Sequence, residues 1–348
     1  MILKKDIRAI SLEQLQDFFI ANGDKKYRAK QVMDWLWKNS ATSFNEMNNL
    51  SKKMLDLLNE HFVINAVVVD KKQVSSDRTI KNAFRLYDGN IVEGVLIPTD
   101  NRMTACVSSQ VGCSLTCKFC ATGKLERLRN LNAGEIYDQV TIIKKQAEEH
   151  YNIPLSNIVY MGMGEPLLNY SNVLKSVEMI TSPNGLNMAP KRITVSTAGI
   201  AKMIHRLGDD EVKFNLALSL HAANDKKRDQ IMPINEHNNL EVIKDALKHY
   251  YSKTRNPVTY EYIVFNNFND TLEDARELYE FSKHLPCKIN LIEYNPIEGG
   301  TFINTGEDKM KAFQQYLFAR GLVVNMRRSR GKDIDAACGQ LANKLVAK

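Results

Sequence analysis

The chain has 348 residues, with 47 Lys and Arg against 40 Asp and Glu, a net charge of +7 and 44% hydrophobic residues. That balance excludes a disordered, collagen-like or coiled-coil protein, and no apolar stretch approaches the ~20 residues of a membrane span. The modest positive excess favours an anionic partner without requiring one, because it is spread over a large surface.

Met1–Arg8 carries charges with no apolar run behind it, so no secretory leader and no membrane attachment are expected, and the protein is placed in the cytoplasm. Ser11 and Gln14 then stand at capping-box spacing, and Leu12, Leu15, Phe18 and Phe19 recur at helical intervals. Further helices are predicted over Ala29–Lys38 and Lys52–Phe62, giving a small helical domain over residues 1–65. Runs rich in β-branched and aromatic residues at Val63–Val69, Asn82–Tyr87 and Ile91–Ile97 follow. The Asp88-Gly89 turn between the last two predicts a β-hairpin or meander over residues 66–100.

From Met103 the pattern becomes strand, loop, helix, repeated. Strands are predicted at Thr104–Ser108, Asn157–Met161, Arg192–Thr197, Lys213–Leu220, Val258–Val264 and Lys288–Ile292. Amphipathic helices are predicted at Ala133–Glu149, Tyr170–Ile180, Ile200–Leu207, Leu240–Thr254, Thr271–His284 and Asp308–Arg320. Asn132 and Glu135 cap the first of these. Such alternation means a parallel sheet with right-handed crossovers. Six units are too few for an eight-stranded barrel, so residues 101–348 are read as a partial barrel or an open doubly wound sheet.

Six cysteines without a leader point to a reducing compartment, where metal ligands and catalytic thiols outnumber disulfides. Cys113, Cys117 and Cys120 have the spacing C-x3-C-x2-C. A structural zinc takes four ligands, yet no His lies between Cys120 and His150 and only Cys106 is near. A 4Fe-4S cluster normally takes four Cys, so three would leave one iron open to a substrate or cofactor. Open cluster, zinc knob and reduced core thiols all remain compatible with the spacing.

Longer motifs surround the trio. They are Ala105-Cys106-Val-Ser-Ser-Gln-Val-Gly-Cys113, Cys120-Ala-Thr-Gly, Arg129-Asn-Leu-Asn-Ala-Gly-Glu135, Met161-Gly-Met-Gly-Glu-Pro166, Ser219-Leu-His-Ala222, Met232-Pro-Ile-Asn235 and Asp335-Ala-Ala-Cys-Gly-Gln-Leu341. With Phe119 before the last cysteine, this ordered set resembles the RlmN family of RNA adenine-C2 methyltransferases, in the radical S-adenosylmethionine (SAM) superfamily. The resemblance runs from about Glu93 to Leu341, and more weakly over the N-terminal segment through Tyr27-Arg-Ala-Lys-Gln31 and Trp35.

The resemblance implies an α/β fold, a partial (β/α)6 barrel with a small N-terminal helical domain and a short β extension. It implies a 4Fe-4S cluster held by Cys113, Cys117 and Cys120 with one open iron, and SAM held by Gly164, Glu165, Ser196, Ser219, Leu220, His221 and Asn295. Cys338 would be the methyl carrier, through S-methylcysteine, and Cys106 the second thiol that resolves a protein–RNA intermediate. Glu93 would be a proton acceptor, and whether it or Cys106 takes the adenine proton stays open. Two SAM would be consumed per methylation of an adenine in 23S rRNA, at the peptidyl transferase centre, or in a tRNA anticodon loop. A flavodoxin- or ferredoxin-type electron donor and a monomeric enzyme are implied as well.

Each residue also has a plain reading. Gly162-Met-Gly is an ordinary strand-to-loop turn, His221 a satisfied half-buried histidine, and Glu93 a solvated hairpin charge. A lone cysteine such as Cys338 or Cys106 is usually a small buried hydrophobe. The basic stretches Lys25–Lys30 and Arg327–Lys332 are either solvated faces or RNA phosphate contacts, with Tyr27 able to stack on a base. The competing functions are a Cfr-like adenine-C8 methyltransferase and a zinc-stabilised RNA-binding protein without catalysis.

Overall fold

The computed structural model describes residues 4–343. Met1–Leu3 of the segment read for a leader, and residues 344–348 of the C-terminal tail, lie outside the described residues. In chain order the first elements are β1 (Lys5–Asp6), α1 (Leu12–Ala21), α2 (Tyr27–Met33), α3 (Lys52–His61) and β2 (Phe62–Val63). The Ser11–Gln14 capping box starts α1 in both directions of hydrogen bonding. β1 and β2 pair in parallel, so the two ends of this segment meet. A wider π turn, Asp34–Lys38, prolongs α2 and sets Trp37 edge-on to Tyr137 at 5.1 Å.

Next come β3 (Val68–Val74), β4 (Ile80–Arg85), β5 (Ile91–Thr99) and β6 (Arg102–Cys106). The first of these starts later than the sequence suggests, because Ile64 and Val67 pack into the core instead of joining a ladder. The Asp88-Gly89 turn is present, with Gly89 at φ +82°. β7 (Gln110–Val111), β8 (Arg129–Asn130), α4 (Ala133–Tyr151), β9 (Leu155–Tyr160), α5 (Tyr170–Thr181) and β10 (Ile193–Thr197) follow. The rest are α6 (Ala201–Asp209), β11 (Asn215–Ser219), α7 (Asp225–Ile231), α8 (Leu240–Thr254), β12 (Val258–Val264), α9 (Leu272–Ser282), β13 (Cys287–Glu293), α10 (Glu307–Phe318) and β14 (Val323–Arg327).

One ten-stranded sheet runs in the order β14-β13-β12-β11-β10-β9-β6-β5-β4-β3. From β6 to β14 every pairing is parallel, while β3 to β6 pair antiparallel. The six β/α units expected are therefore present, but a seventh parallel strand, β14, closes the series, and the hairpin strands extend the same sheet. The sheet is curled. Five inter-strand steps between β9 and β14 would span ~24 Å if flat, at ~4.8 Å per step. Yet Arg327 of β14 reaches the Met161 sulfur just beyond β9 at 3.6 Å. This choice between a partial barrel and an open sheet falls to the partial barrel.

The N-terminal segment meets α4 through Arg8 and Trp37. Buried Arg8 donates to Asp138 at 2.7 Å and pairs with Asp6, and a Cβ on Gly134 would sit 2.7 Å from its guanidinium carbon. Among the described residues no helix is long and apolar enough to cross a membrane.

Candidate active site

The cysteine trio lies on a loop whose base is the antiparallel β7–β8 ladder. Inside it, the Cys120 N–H donates to the Cys117 carbonyl at 3.1 Å and Gly123 N–H to the Cys120 carbonyl at 3.1 Å. The Lys118 N–H donates to the Ile231 carbonyl at 3.0 Å, tying the loop to the end of α7. Cys113, Cys117 and Cys120 all line one cleft. Burial pushes the Cys113 thiol up to about 11 and raises Cys117 and Cys120 too. Three desolvated sulfurs facing one space suit a soft, positively charged iron centre, which would draw off their protons. The residues therefore fit the cluster expected there.

The opposite wall comes from the carboxyl ends of the parallel strands, where barrel sites are built. Gly164 follows β9 at φ +95°, and a Cβ on it would lie 2.5 Å from the Gln110 Cβ. Only glycine meets both demands. Glu165 is buried; its carboxylate accepts from Ala198 N–H at 2.8 Å and Leu167 N–H at 3.0 Å. Burial pushes its carboxyl up to about 7, against these bonds. Ser196, ending β10, and Ser219, ending β11, have hydroxyls 3.3 Å apart. His221 stands at φ +56°. Its Nδ1 accepts from Ile263 N–H at 3.1 Å, so the ring proton belongs on Nε2. Burial lowers its pKa to about 3, and Phe119 packs on the ring edge at 4.6 Å. Leu220 instead turns its side chain into the apolar core. Asn295 holds the tail: its Nδ2 donates to the Cys338 carbonyl at 3.1 Å, and its Oδ1 is buried without a hydrogen-bond partner among the described residues.

The C-terminal tail brings Cys338 into the same cleft. It is fastened along its length. Ala121 N–H donates to Gly339 O at 2.7 Å, the Thr122 hydroxyl to Leu341 O at 2.7 Å, and Gln340 to Pro296 O at 3.0 Å. Cys106, at the end of β6, is buried beside the tail. Burial, and then the Cys338 sulfur, push its thiol up to about 12, while the Arg327 cation works the other way. Arg327 does not join a solvated basic face. It points into the barrel against Glu261 at 3.5 Å and feels Cys338, Glu261 and Cys106.

Glu93 is placed differently from the others. It is fully buried, and its Oε2 accepts from the tail N–H groups of Ala342 at 2.8 Å and Asn343 at 3.1 Å. Buried Lys81 lies 3.5 Å from its Oε1. Two further residues escaped sequence reasoning. Arg228, fully buried, donates to Ala198 O at 2.6 Å, Leu220 O at 3.2 Å and Asn235 Oδ1 at 2.5 Å, locking the ends of β10 and β11. Asn269 donates to the His221 carbonyl at 2.7 Å, holding its left-handed backbone. The signal for Arg228 was Asn235 in the Met-Pro-Ile-Asn motif, which is its partner.

Residues 5–64 match the family described as the ribosomal RNA large subunit methyltransferase N-terminal domain, and residues 107–281 match the radical SAM superfamily. The chain is 64% identical over 99% of its length, and 94% of the relative's, to a probable dual-specificity RNA methyltransferase RlmN of Cytophaga hutchinsonii. It is 43% identical over 98% of its length, and 93% of the relative's, to the dual-specificity RNA methyltransferase RlmN of Geobacter sulfurreducens. It is also similar to the solved structure of a radical SAM methyltransferase from Sphaerobacter thermophilus. There the TM-score is 0.91 at 37% identity, over 97% of this chain and 99% of that one.

Proposed function

Because the chain belongs to the RlmN family of radical SAM RNA methyltransferases, we propose that it methylates C2 of an adenine in 23S rRNA, at the peptidyl transferase centre, and of an adenine in tRNA anticodon loops. The observation that carries the reading is that Cys338 shares one cleft with Cys113, Cys117, Cys120, Glu165 and His221.

Cys113, Cys117 and Cys120 hold the 4Fe-4S cluster. When bound, it would supply the electron for reductive cleavage of SAM. Glu165, poised near neutrality, accepts the SAM ammonium, whose positive charge favours the carboxylate. Neutral His221 offers its Nε2–H to the cleft. Ser196, Ser219 and the backbone around Gly164 and Leu220 complete the cradle, and Asn295 orients the tail beside it. Adenine C2 has no nucleophilic lone pair, so methyl transfer needs an intermediary. The Cys338 sulfur provides one: as thiolate it takes the methyl of a first SAM, releasing S-adenosylhomocysteine and giving S-methylcysteine. Once the carbon on Cys338 is bonded to C2 and C2 has lost its own proton to a base, the Cys106 thiolate attacks the Cys338 sulfur. An S–S bond forms, the S–C bond breaks, and the released carbon takes a proton as methyl. The Arg327 cation works against the burial of the Cys106 thiol and so favours the thiolate that the release step requires.

Two SAM are consumed per methyl delivered, and an external flavodoxin- or ferredoxin-type donor restores the enzyme, which works as a cytoplasmic monomer. Residues 1–65 grip RNA, 66–100 form an extension, and 101–348 are catalytic. Exposed Tyr27, with the Arg28 guanidinium 4.9 Å from its ring centroid, supports the first assignment. Glu93 we assign to holding the tail; as a proton acceptor it would first have to release Ala342 and Asn343. The test is an anaerobic assay of reconstituted protein with SAM and an rRNA fragment, locating the methyl by mass spectrometry. A methyl at C2 is expected; one at C8, or a protein carrying zinc and no iron, overturns the reading.

A further inference from the structure

Outside the catalytic cleft, two helices of the outer layer bring together a set of metal-ligating side chains. His205 and Asp209 stand four residues apart on α6, so they share a face. His249 reaches the same spot from α8. The Asp209 carboxylate meets both rings. Its Oδ2 lies 3.2 Å from His205 Nδ1, and its Oδ1 lies 2.7 Å from His249 Nε2. The rings stack at 3.4 Å, 5° from parallel. One ligand atom from each of the three residues lies within 4.8 Å of the other two.

The backbone fixes this meeting. α6 and α8 approach closely at Gly208, where a Cβ would lie 2.9 Å from the His249 Cδ2 and 3.0 Å from the Tyr250 Cα. A larger residue there would displace the His249 ring or part the helices. Ligands carried on packed helices are placed more precisely than ligands on loops. The set is open to solvent: the side chains of His205 and Asp209 are half exposed, and that of His249 a quarter. Arg206, the neighbouring cation on α6, is engaged elsewhere, 4.7 Å from the Tyr170 ring centroid and 3.7 Å from Asp210. Zinc sits ~2.0–2.2 Å from nitrogen and oxygen ligands, which sets tetrahedral ligand atoms ~3.3 Å apart. The present separations are close to that. A neutral imidazole carries one proton and can hold it on the far nitrogen, which frees the near lone pair.

We propose that His205, Asp209 and His249 bind a divalent transition ion of the zinc class, which clamps α6 to α8. His205 Nδ1, His249 Nε2 and an Asp209 oxygen are the protein ligands, and water takes the fourth position. Two imidazoles with one carboxylate suit zinc, whereas calcium and magnesium take oxygen ligands. α6 lies between β10 and β11, and α8 between β11 and β12. The ion therefore ties together the connections on either side of β11. None of its three ligands lines the catalytic cleft, so it acts on stability and leaves the chemistry alone. The inference stands apart from the RNA methyltransferase reading above.

The test uses the full chain with its cluster reconstituted, so that Cys113, Cys117 and Cys120 are occupied, and zinc chloride as the probe. Calorimetric titration should show one zinc per chain. A hundredfold excess over the Kd should raise the melting temperature by ~5 °C. X-ray absorption at the zinc edge should find nitrogen and oxygen at ~2.0–2.2 Å and no sulfur at ~2.3 Å. His205→Ala should weaken zinc binding at least tenfold and abolish the rise in melting temperature, with reductive SAM cleavage at the wild-type rate. His205→Gln, which keeps a hydrogen-bond donor toward Asp209 but no imidazole, should do the same, so the loss cannot come from a broken helix contact. Zinc that binds through sulfur, or that binds both variants as tightly as the wild type, overturns the inference. So does a wild-type chain that takes up no zinc, or one that takes it up with no rise in melting temperature, which marks an adventitious ion only.

Discussion

Glu93→Gln separates two roles for one carboxylate. Its Oε2 accepts two tail amides, at 2.8 and 3.1 Å, and Lys81, 2% exposed, lies 3.5 Å from Oε1. Glutamine keeps an acceptor oxygen but loses the charge. Hydrogen bonds to a charged group contribute ~1.5–3 kcal/mol and neutral ones ~0.5–1.5 kcal/mol, so the two bonds together weaken by about 1–3 kcal/mol. Leaving a buried cation unpaired costs up to ~3–5 kcal/mol. Part of that is recovered, because Lys81 also donates to the Asp335 carbonyl at 3.4 Å. Tail docking should therefore weaken by roughly 2–5 kcal/mol, which populates the undocked tail ~30-fold or more. The assay is amide hydrogen exchange over residues 336–343, where protection should drop by that factor while the barrel strands stay protected. RNA methylation should fall with it, because Cys338 is no longer held in the cleft. The opposite result is equally definite. A tail as protected as in the wild type, with a covalent Cys338–RNA adduct accumulating, would mean that Glu93 takes the C2 proton and does not latch the tail.

Three further outcomes are expected. Cys106→Ala should trap a covalent protein–RNA species visible as a slow band on a denaturing gel, whereas Cys338→Ala should give no such band and no methylated RNA. Gly164→Ala should cost ~1–3 kcal/mol, since it adds a clash to a left-handed backbone, and Gly89→Ala, which is left-handed in open space, should cost only ~1 kcal/mol; thermal melting of the two variants compares them. His221 has its folded pKa lowered to about 3 by burial, against an ordinary value near 6.5. Between those values the unfolded chain binds a proton that the folded protein does not, so the contribution is present above about 6.5 and is lost as pH falls toward 3. Urea unfolding at pH 7 and pH 4 should show a larger loss for the wild type than for His221→Gln, and equal losses would refute the assignment.

The β/α order was legible because most helices and strands keep their apolar period, and the cysteine trio because its ligands are neighbours in sequence. β14 was not legible for the same physical reason. An inward strand face normally reads as apolar, but β14 points Asn325 and Arg327 into the barrel, so its sequence looks like a charged loop. Among its basic neighbours in sequence Arg327 reads as a solvated or phosphate-binding charge, though it faces Glu261 and the two thiols. Glu93 alternates on a hairpin that would be solvated alone. It is buried because a tail some 250 positions later covers it. Arg228 is invisible to periodicity, since its partners are carbonyls at strand ends. In each case local pattern fails where a polar group has been placed inside against its ordinary preference. Burying such groups is costly unless each is partnered, so they persist where something polar must be held. In this barrel those places converge on Cys338: Arg327 and Asn295 beside it, and Glu93 fastening the tail beyond it.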